Sequence, residues 1–169
     1  MIEVFRYQRP DGREPVTEWL LALRDKQVQA RIRLRIKRLE AGLFGDCDGL
    51  LGRLETEAAM KRKIAAAVRH DEREVDELRA DRELAVEYLR MAMASLDDPD
   101  DRAAGLLALR SVAEAYGGLS TIAADAGISR EALYRALSPT GNPTLKTLLA
   151  VLKAVGMRLS VEPEERAAA

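Results

Sequence analysis

Residues 119–138, LSTIAADAGISREALYRALS, constrain this chain more than any other stretch. Ile122, Ala123 and Ala126 give one helix an apolar face. Gly127 follows where a helix ends on positive φ, a backbone setting that strains any residue with a Cβ. Ala123 is small at the point where two helices would cross closely, and Ile128 is expected to turn back to the core. Ser129 suits the N-cap of a second helix that buries Leu133, Ala136 and Leu137. Its outward positions are Arg130, Glu131, Tyr134 and Arg135, types that reach base edges and phosphates. Two short helices hinged on a glycine form the pattern of a helix-turn-helix, which lays its second helix in the major groove of DNA. A plain helical hairpin carries similar residues, so the window alone leaves both readings open.

The flanking segments extend a helical bundle. Ser138-Pro-Thr-Gly-Asn-Pro143 breaks the chain sharply, and Thr144 caps a helix with Leu145, Leu148, Val151, Leu152 and Val155 on one face. Gly156 ends it, and residues 157–162 alternate as a short strand would. Upstream, Asp81 caps a helix burying Leu84, Ala85, Tyr88, Leu89, Ala92 and Leu96. Asp98 and Pro99 are expected to open the next, which carries Ala103, Leu106, Leu107, Leu109, Val112 and Ala113 to Tyr116 and closes on Gly117 and Gly118. The fold class expected is mainly α: a bundle of about five helices with a short C-terminal strand.

The N-terminal part reads differently. Ile2, Val4 and Phe5 suggest a strand stopped by Pro10-Asp-Gly12, and Pro15 opens a helix with Val16, Trp19, Leu20 and Leu23, Trp19 being a core candidate. In residues 26–41, Ile32-Arg-Leu-Arg-Ile36 alternates like a strand. Yet Ile32, Ile36, Leu39 and Leu43 keep helical spacing, and the length favours a helix. Gly42, Gly45, Gly49 and Gly52 break the pattern, so residues 45–52 read as a junction and residues 53–79 as a polar helical segment.

A net charge of −1 excludes a basic nucleic-acid coat, but the charge is unevenly placed. Residues 71–101 hold twelve acids against four arginines, whereas Arg102, Arg110, Arg130, Arg135, Lys146, Lys153 and Arg158 outweigh Glu114, Asp125 and Glu131. That suits a module docking on DNA by one end, although solvated helix faces would give the acidic part the same look. Arg31, Arg33, Arg35, Lys37 and Arg38 form a basic patch. It is read first as a solvated face or a partner for the acids of residues 71–87, and second as an RNA contact. His70, the only histidine, is expected to be exposed, and Cys47, the only cysteine, has no activating partner. No metal site, cofactor or catalytic set is expected, and so no enzyme. No apolar leader or membrane-length run is seen, which makes the cytoplasm the expected location.

Residues 75–163 resemble the HigA-type addiction-module antidotes. The resemblance rests on Leu78-Arg-Ala-Asp-Arg-Glu-Leu-Ala-Val-Glu-Tyr-Leu89, Ile128-Ser-Arg-Glu-Ala-Leu-Tyr-Arg-Ala-Leu-Ser-Pro-Thr-Gly-Asn-Pro143 and Gly156-Met-Arg-Leu-Ser-Val161. Residues 1–46 resemble the start of the matching RelE/ParE-like, HigB-type killer proteins. There the carriers are Glu18-Trp-Leu20, Leu23-Arg-Asp25, Ala30-Arg-Ile32, Arg35-Ile-Lys-Arg-Leu39 and Gly42-Leu-Phe-Gly-Asp46. The chain departs from the killer pattern after Asp46, where the strands bearing the ribonuclease residues would follow, and Met60 could once have started a separate antidote.

The resemblance implies a small α+β toxin-like fragment (1–46), a linker or connecting helix (47–74), a lambda-repressor-like helix-turn-helix domain (75–163) and a flexible tail (164–169). It implies an antitoxin that binds operator DNA and regulates its own type II toxin-antitoxin operon; the other reading is a protein-protein module that sequesters a RelE/ParE-like toxin. The DNA-contact candidates are Ser120 and Thr121 at the start of the first helix, Ser129, Arg130, Glu131, Tyr134 and Arg135 on the second, Asn142 in the loop, and Thr144 and Lys146 beyond it. A homodimer is expected, with residues 157–162 pairing to their copy in a second chain or, in competition, to the N-terminal strand.

Overall fold

Helices dominate the computed structural model, which describes residues 3–43 and 67–160. In chain order the elements are β1 (Phe5–Tyr7), α1 (Pro15–Ala22), α2 (Lys26–Glu40), β2 (Ala67–Arg69), α3 (His70–Ala80), α4 (Arg82–Ala94), α5 (Arg102–Tyr116), α6 (Gly118–Ala126), α7 (Arg130–Ala136) and α8 (Leu145–Ala154). The expected junction at residues 45–52, with Cys47, lies outside the described residues. So do Met60, the proximal part of the polar helical segment, and everything after Ser160.

Helix α5 is buried on all sides: Leu106, Leu107, Leu109 and Val112 have no exposed surface, and Arg110 and Ser111 are buried beside them. A helix apolar around its whole circumference belongs at the centre of a bundle, and α2, α3, α4, α6 and α8 all pack on it. The core runs without a break from Ala30 and Leu34 of α2, through Leu78, Leu84, Tyr88 and Leu109, to Leu133 and Val151. Side-chain caps set several helix starts. Asp25 accepts from the Gln27 and Val28 amides, Asp81 from Leu84, Ser129 from Ala132 and Thr144 from Thr147, each satisfying N–H groups that the helix leaves unpaired.

The structure corrects several expectations. Residues 67–69 are strand rather than helix; β2 runs antiparallel to β1, with Phe5 opposite Arg69 and Tyr7 opposite Ala67. The ladder continues into α3, whose first amide, His70 N, donates to Val4 O at 3.0 Å. The partner of β1 is β2 and not residues 157–160, which form no strand: among the described residues they have no ladder partner. Pro99 sits in a turn and α5 opens later, at Arg102. The Asp98 side chain accepts from the Asp100 amide, closing that turn instead of capping the helix. Leu145, expected on the buried face of α8, is 59% exposed; Thr147 and Ala150 fill that face.

Trp19 and Val16 are not core: they are 53% and 43% exposed, and of the apolar residues of α1 only Leu20 is fully buried. The larger reversal is in α2. Its buried residues are Gln29, Ala30, Arg33, Leu34, Lys37 and Glu40, while Ile32 and Ile36 are half-buried and Leu39 is exposed. Of the basic patch, Arg31 and Arg35 face solvent, and Arg33 and Lys37 pair with the acids of α3, as the two forms of the first reading expect; what that reading lacked is that the pairing is buried. His70, expected at the surface, is 1% exposed.

Candidate nucleic-acid interface

Helices α6 and α7 meet at Gly127, which takes φ 69°. Two reverse hydrogen bonds close the turn, Gly127 N to Ala124 O (3.0 Å) and Ile128 N to Ala123 O (2.9 Å), the usual way of satisfying carbonyls at a helix end. Ile122, Ala123 and Ala126 are buried on α6, and Leu133 with Leu137 anchors α7. That burial leaves Arg130, Glu131, Tyr134 and Arg135 outside, where all four are exposed and line one open surface pocket. After α7 the chain reverses so tightly that a Cβ on Gly141 would stand 2.1 Å from the Ala136 carbonyl oxygen. Glycine is therefore required in the Ser-Pro-Thr-Gly-Asn-Pro turn for close approach.

All ten candidate contact residues are exposed. Ser120 and Thr121 stand in the first turn of α6, which begins two residues earlier than expected, at Gly118. The Ser129 hydroxyl accepts from the Ala132 amide at 3.1 Å. The Glu131 carboxyl is held below its usual range by its own backbone N–H and then by Ser129, so it carries charge at the start of α7, where the helix dipole favours an anion. Asn142 accepts from Arg102 at 3.1 Å, and Thr144 caps α8 through Thr147 N at 3.2 Å. The Lys146 ammonium reaches over the turn, 2.9 Å from where a Cβ on Gly127 would lie.

Arg110 was not among the candidates. It rises from α5, 8% exposed, with its guanidinium carbon 4.8 Å from the centroid of the Tyr134 ring, a cation–π contact that fixes the ring on α7. The available sign was an arginine inside the apolar run of α5.

A second polar cluster lies between the N-terminal elements and α3, and it is buried. Arg6 grips Glu77 with two N–H groups, at 2.5 and 3.1 Å. Arg33, with no exposed surface, donates to the other side of the same carboxylate. Lys37 reaches Glu40 at 2.8 Å, Asp71 at 2.9 Å and Glu74 at 3.0 Å. Arg6 Nε donates to His70 Nδ1 at 2.9 Å, leaving the imidazole proton for Nε2, which faces Glu74 at 3.4 Å. The Tyr88 hydroxyl donates to Glu74 at 3.1 Å. Burial opposes the charge on Lys37, but Glu74, Glu40 and Asp71 together raise its pKa. Burial likewise opposes ionised Glu74, yet Lys37 and His70 hold its pKa far below the usual carboxylate range. Glu40 goes the other way: burial outweighs Lys37 and pushes it up to about 7.

Residues 71–163, more than half of the chain, match the family model described as "Probable addiction module antidote protein". The chain belongs to this antidote family. The matched segment opens on α3 and includes α4 to α8 with the exposed α7 face, whereas β1, α1, α2 and β2 lie outside the match. A curated relative, an uncharacterized protein of Haemophilus influenzae, is 53% identical over 57 residues, 34% of this chain and 58% of the relative. The chain thus spans little more than half the length of that relative. No solved structure matches. Among the described residues no helix is long and apolar enough to cross a membrane.

Proposed function

We propose that this antidote protein is a sequence-specific DNA-binding antitoxin of the HigA type that regulates its own operon. In this reading α6 and α7 are the two helices of a helix-turn-helix, α7 enters the major groove, and the start of α8 meets the phosphate backbone. The observation that carries it is the face of α7: Arg130, Glu131, Tyr134 and Arg135 are exposed together while Leu133 and Leu137 bury the opposite side. Arginine is the commonest reader of guanine, through O6 and N7, and a tyrosine clamped by Arg110 offers a rigid flat contact. Ser120, Thr121, Ser129, Asn142, Thr144 and Lys146 are assigned to backbone positioning. A palindromic operator requires two copies, and residues 157–160, whose backbone has no ladder partner among the described residues, are the segment assigned to pairing with a second chain. The N-terminal elements are read as a remnant of a RelE/ParE-like toxin.

The antidote family supports the second reading, sequestration of a toxin, as an activity of the same chain, although the inner acids of α3 are already paired with Arg6, Arg33 and Lys37. A gel shift separates the two. The full chain should retard DNA from upstream of its own gene in preference to a scrambled duplex, with affinity falling steeply as salt rises through counterion release. Equal retention of both duplexes would leave toxin binding as the function.

A further inference from the structure

The family match begins at the acidic helix, and the elements that bury its acids come from outside the match. Glu74, with no exposed surface, and Glu77 and Asp71 face Arg6, Arg33 and Lys37, contributed by β1 and α2. Without residues 3–43, the antidote part would present three carboxylates in register along α3, with Tyr88 of α4 beside them. The complement that fills this face is specific. One helix presents Arg33 and Lys37 four residues apart, so both charges lie on one side. Ala30 and Leu34 enter the apolar core on that same side. The fit is incomplete: Arg33 Nε and Nη2 have no hydrogen-bond partner among the described residues. Buried groups left unpaired weaken an interface.

We propose that the face of α3, α4 and α5 under α2 is a protein-docking surface for a basic amphipathic helix, which residues 3–43 occupy in cis. The partner it fits carries an arginine and a lysine four residues apart with small or aliphatic residues on the same side. A partner in trans must displace α2, so the chain holds its own docking face closed. The proposal rests on the antidote reading only where it names that partner as a toxin; operator binding through α7 does not depend on it.

The test uses a fluorescein-labelled peptide of residues 24–43 and the full chain. Binding is measured to the wild type, to the Arg33→Glu/Lys37→Glu variant, and to full-length protein cut at a protease site inserted between Leu43 and Ala67. The closed face predicts at least tenfold tighter binding by the charge-reversed chain than by the wild type. It also predicts exchange of the peptide into the cut protein with release of the N-terminal fragment. The helical circular dichroism of the variant reports whether it is folded, and if it is not, the cut wild-type protein decides. Equal affinity for wild type and folded variant would overturn the proposal. So would a cut protein that neither exchanges the peptide nor releases its fragment, because α2 would then be ordinary core. In both cases the operator gel shift of the wild type still stands or fails separately.

Discussion

Replacing Glu77 by glutamine removes the charge shared by two buried arginines while keeping the shape. Arg6 is 3% exposed and Arg33 not at all, so neither can turn to water once the carboxylate is gone. Removing one partner of a buried ion pair costs about 3–5 kcal/mol, because the remaining charge stays desolvated and unpaired. Here the upper half of that range is expected, since Arg33 has no other hydrogen-bond partner among the described residues. Against a total stability of about 5–15 kcal/mol for a domain, such a loss leaves the chain close to unfolding. Urea denaturation at neutral pH, followed by far-ultraviolet circular dichroism, measures it as a lower midpoint at unchanged slope. The triple change Arg6→Met/Arg33→Met/Glu77→Leu is expected to restore stability to within about 1–2 kcal/mol, because apolar residues of similar volume avoid the desolvation penalty. A Glu77→Gln loss below about 1 kcal/mol would refute the reasoning, and so would a triple variant no better than the single one.

Glu40, whose carboxyl is pushed up to about 7 by burial, binds its proton more tightly folded than unfolded; stability from this group is therefore present below about pH 4.5 and is lost as pH rises to about 7, by roughly 3 kcal/mol at most. Glu40→Gln should flatten that decline, and parallel urea curves at acid and neutral pH check it. Gly127→Ala forces a Cβ into φ 69° and toward the Lys146 ammonium, and is expected to cost about 1–2 kcal/mol in thermal or urea melts. Lys146→Glu should weaken binding to all DNA sequences alike and make the log–log salt slope shallower by about 1; an unchanged slope would remove Lys146 from the interface.

The C-terminal helices were legible because local chemistry and burial agree there. Asp81, Ser129 and Thr144 cap the helices that they precede, Gly127 takes positive φ, and Leu84, Ile122, Leu133 and Val151 face the core. The N-terminal part was legible as elements but not as faces. Helix α2 buries Arg33 and Lys37 because charges four residues apart find carboxylates on α3, a long-range pairing that no local periodicity encodes. His70 lies inside because Arg6 of β1 binds its ring, and Leu39, on the side of α2 away from Lys37, stays exposed. A three-residue strand such as β2 is too short to show alternation, and its existence depends on β1, far away in sequence. Residues 157–160 show the converse: alternation was present, but a strand also needs a neighbouring edge. At the candidate interface the exposed residues of α7 were readable from helical spacing, whereas Arg110 was hidden because its role depends on Tyr134 arriving beside it from another helix.

DNA reading is assigned to α7. Fluorescence anisotropy of the duplex upstream of the gene, titrated with wild type, Arg130→Ala and Arg135→Ala at one fixed salt concentration, tests this directly. At least one arginine variant is expected to lose about 1–3 kcal/mol of operator affinity and to relax its preference at a single base pair, with the helical signal of the protein intact. Wild-type affinity and specificity in both variants would contradict it.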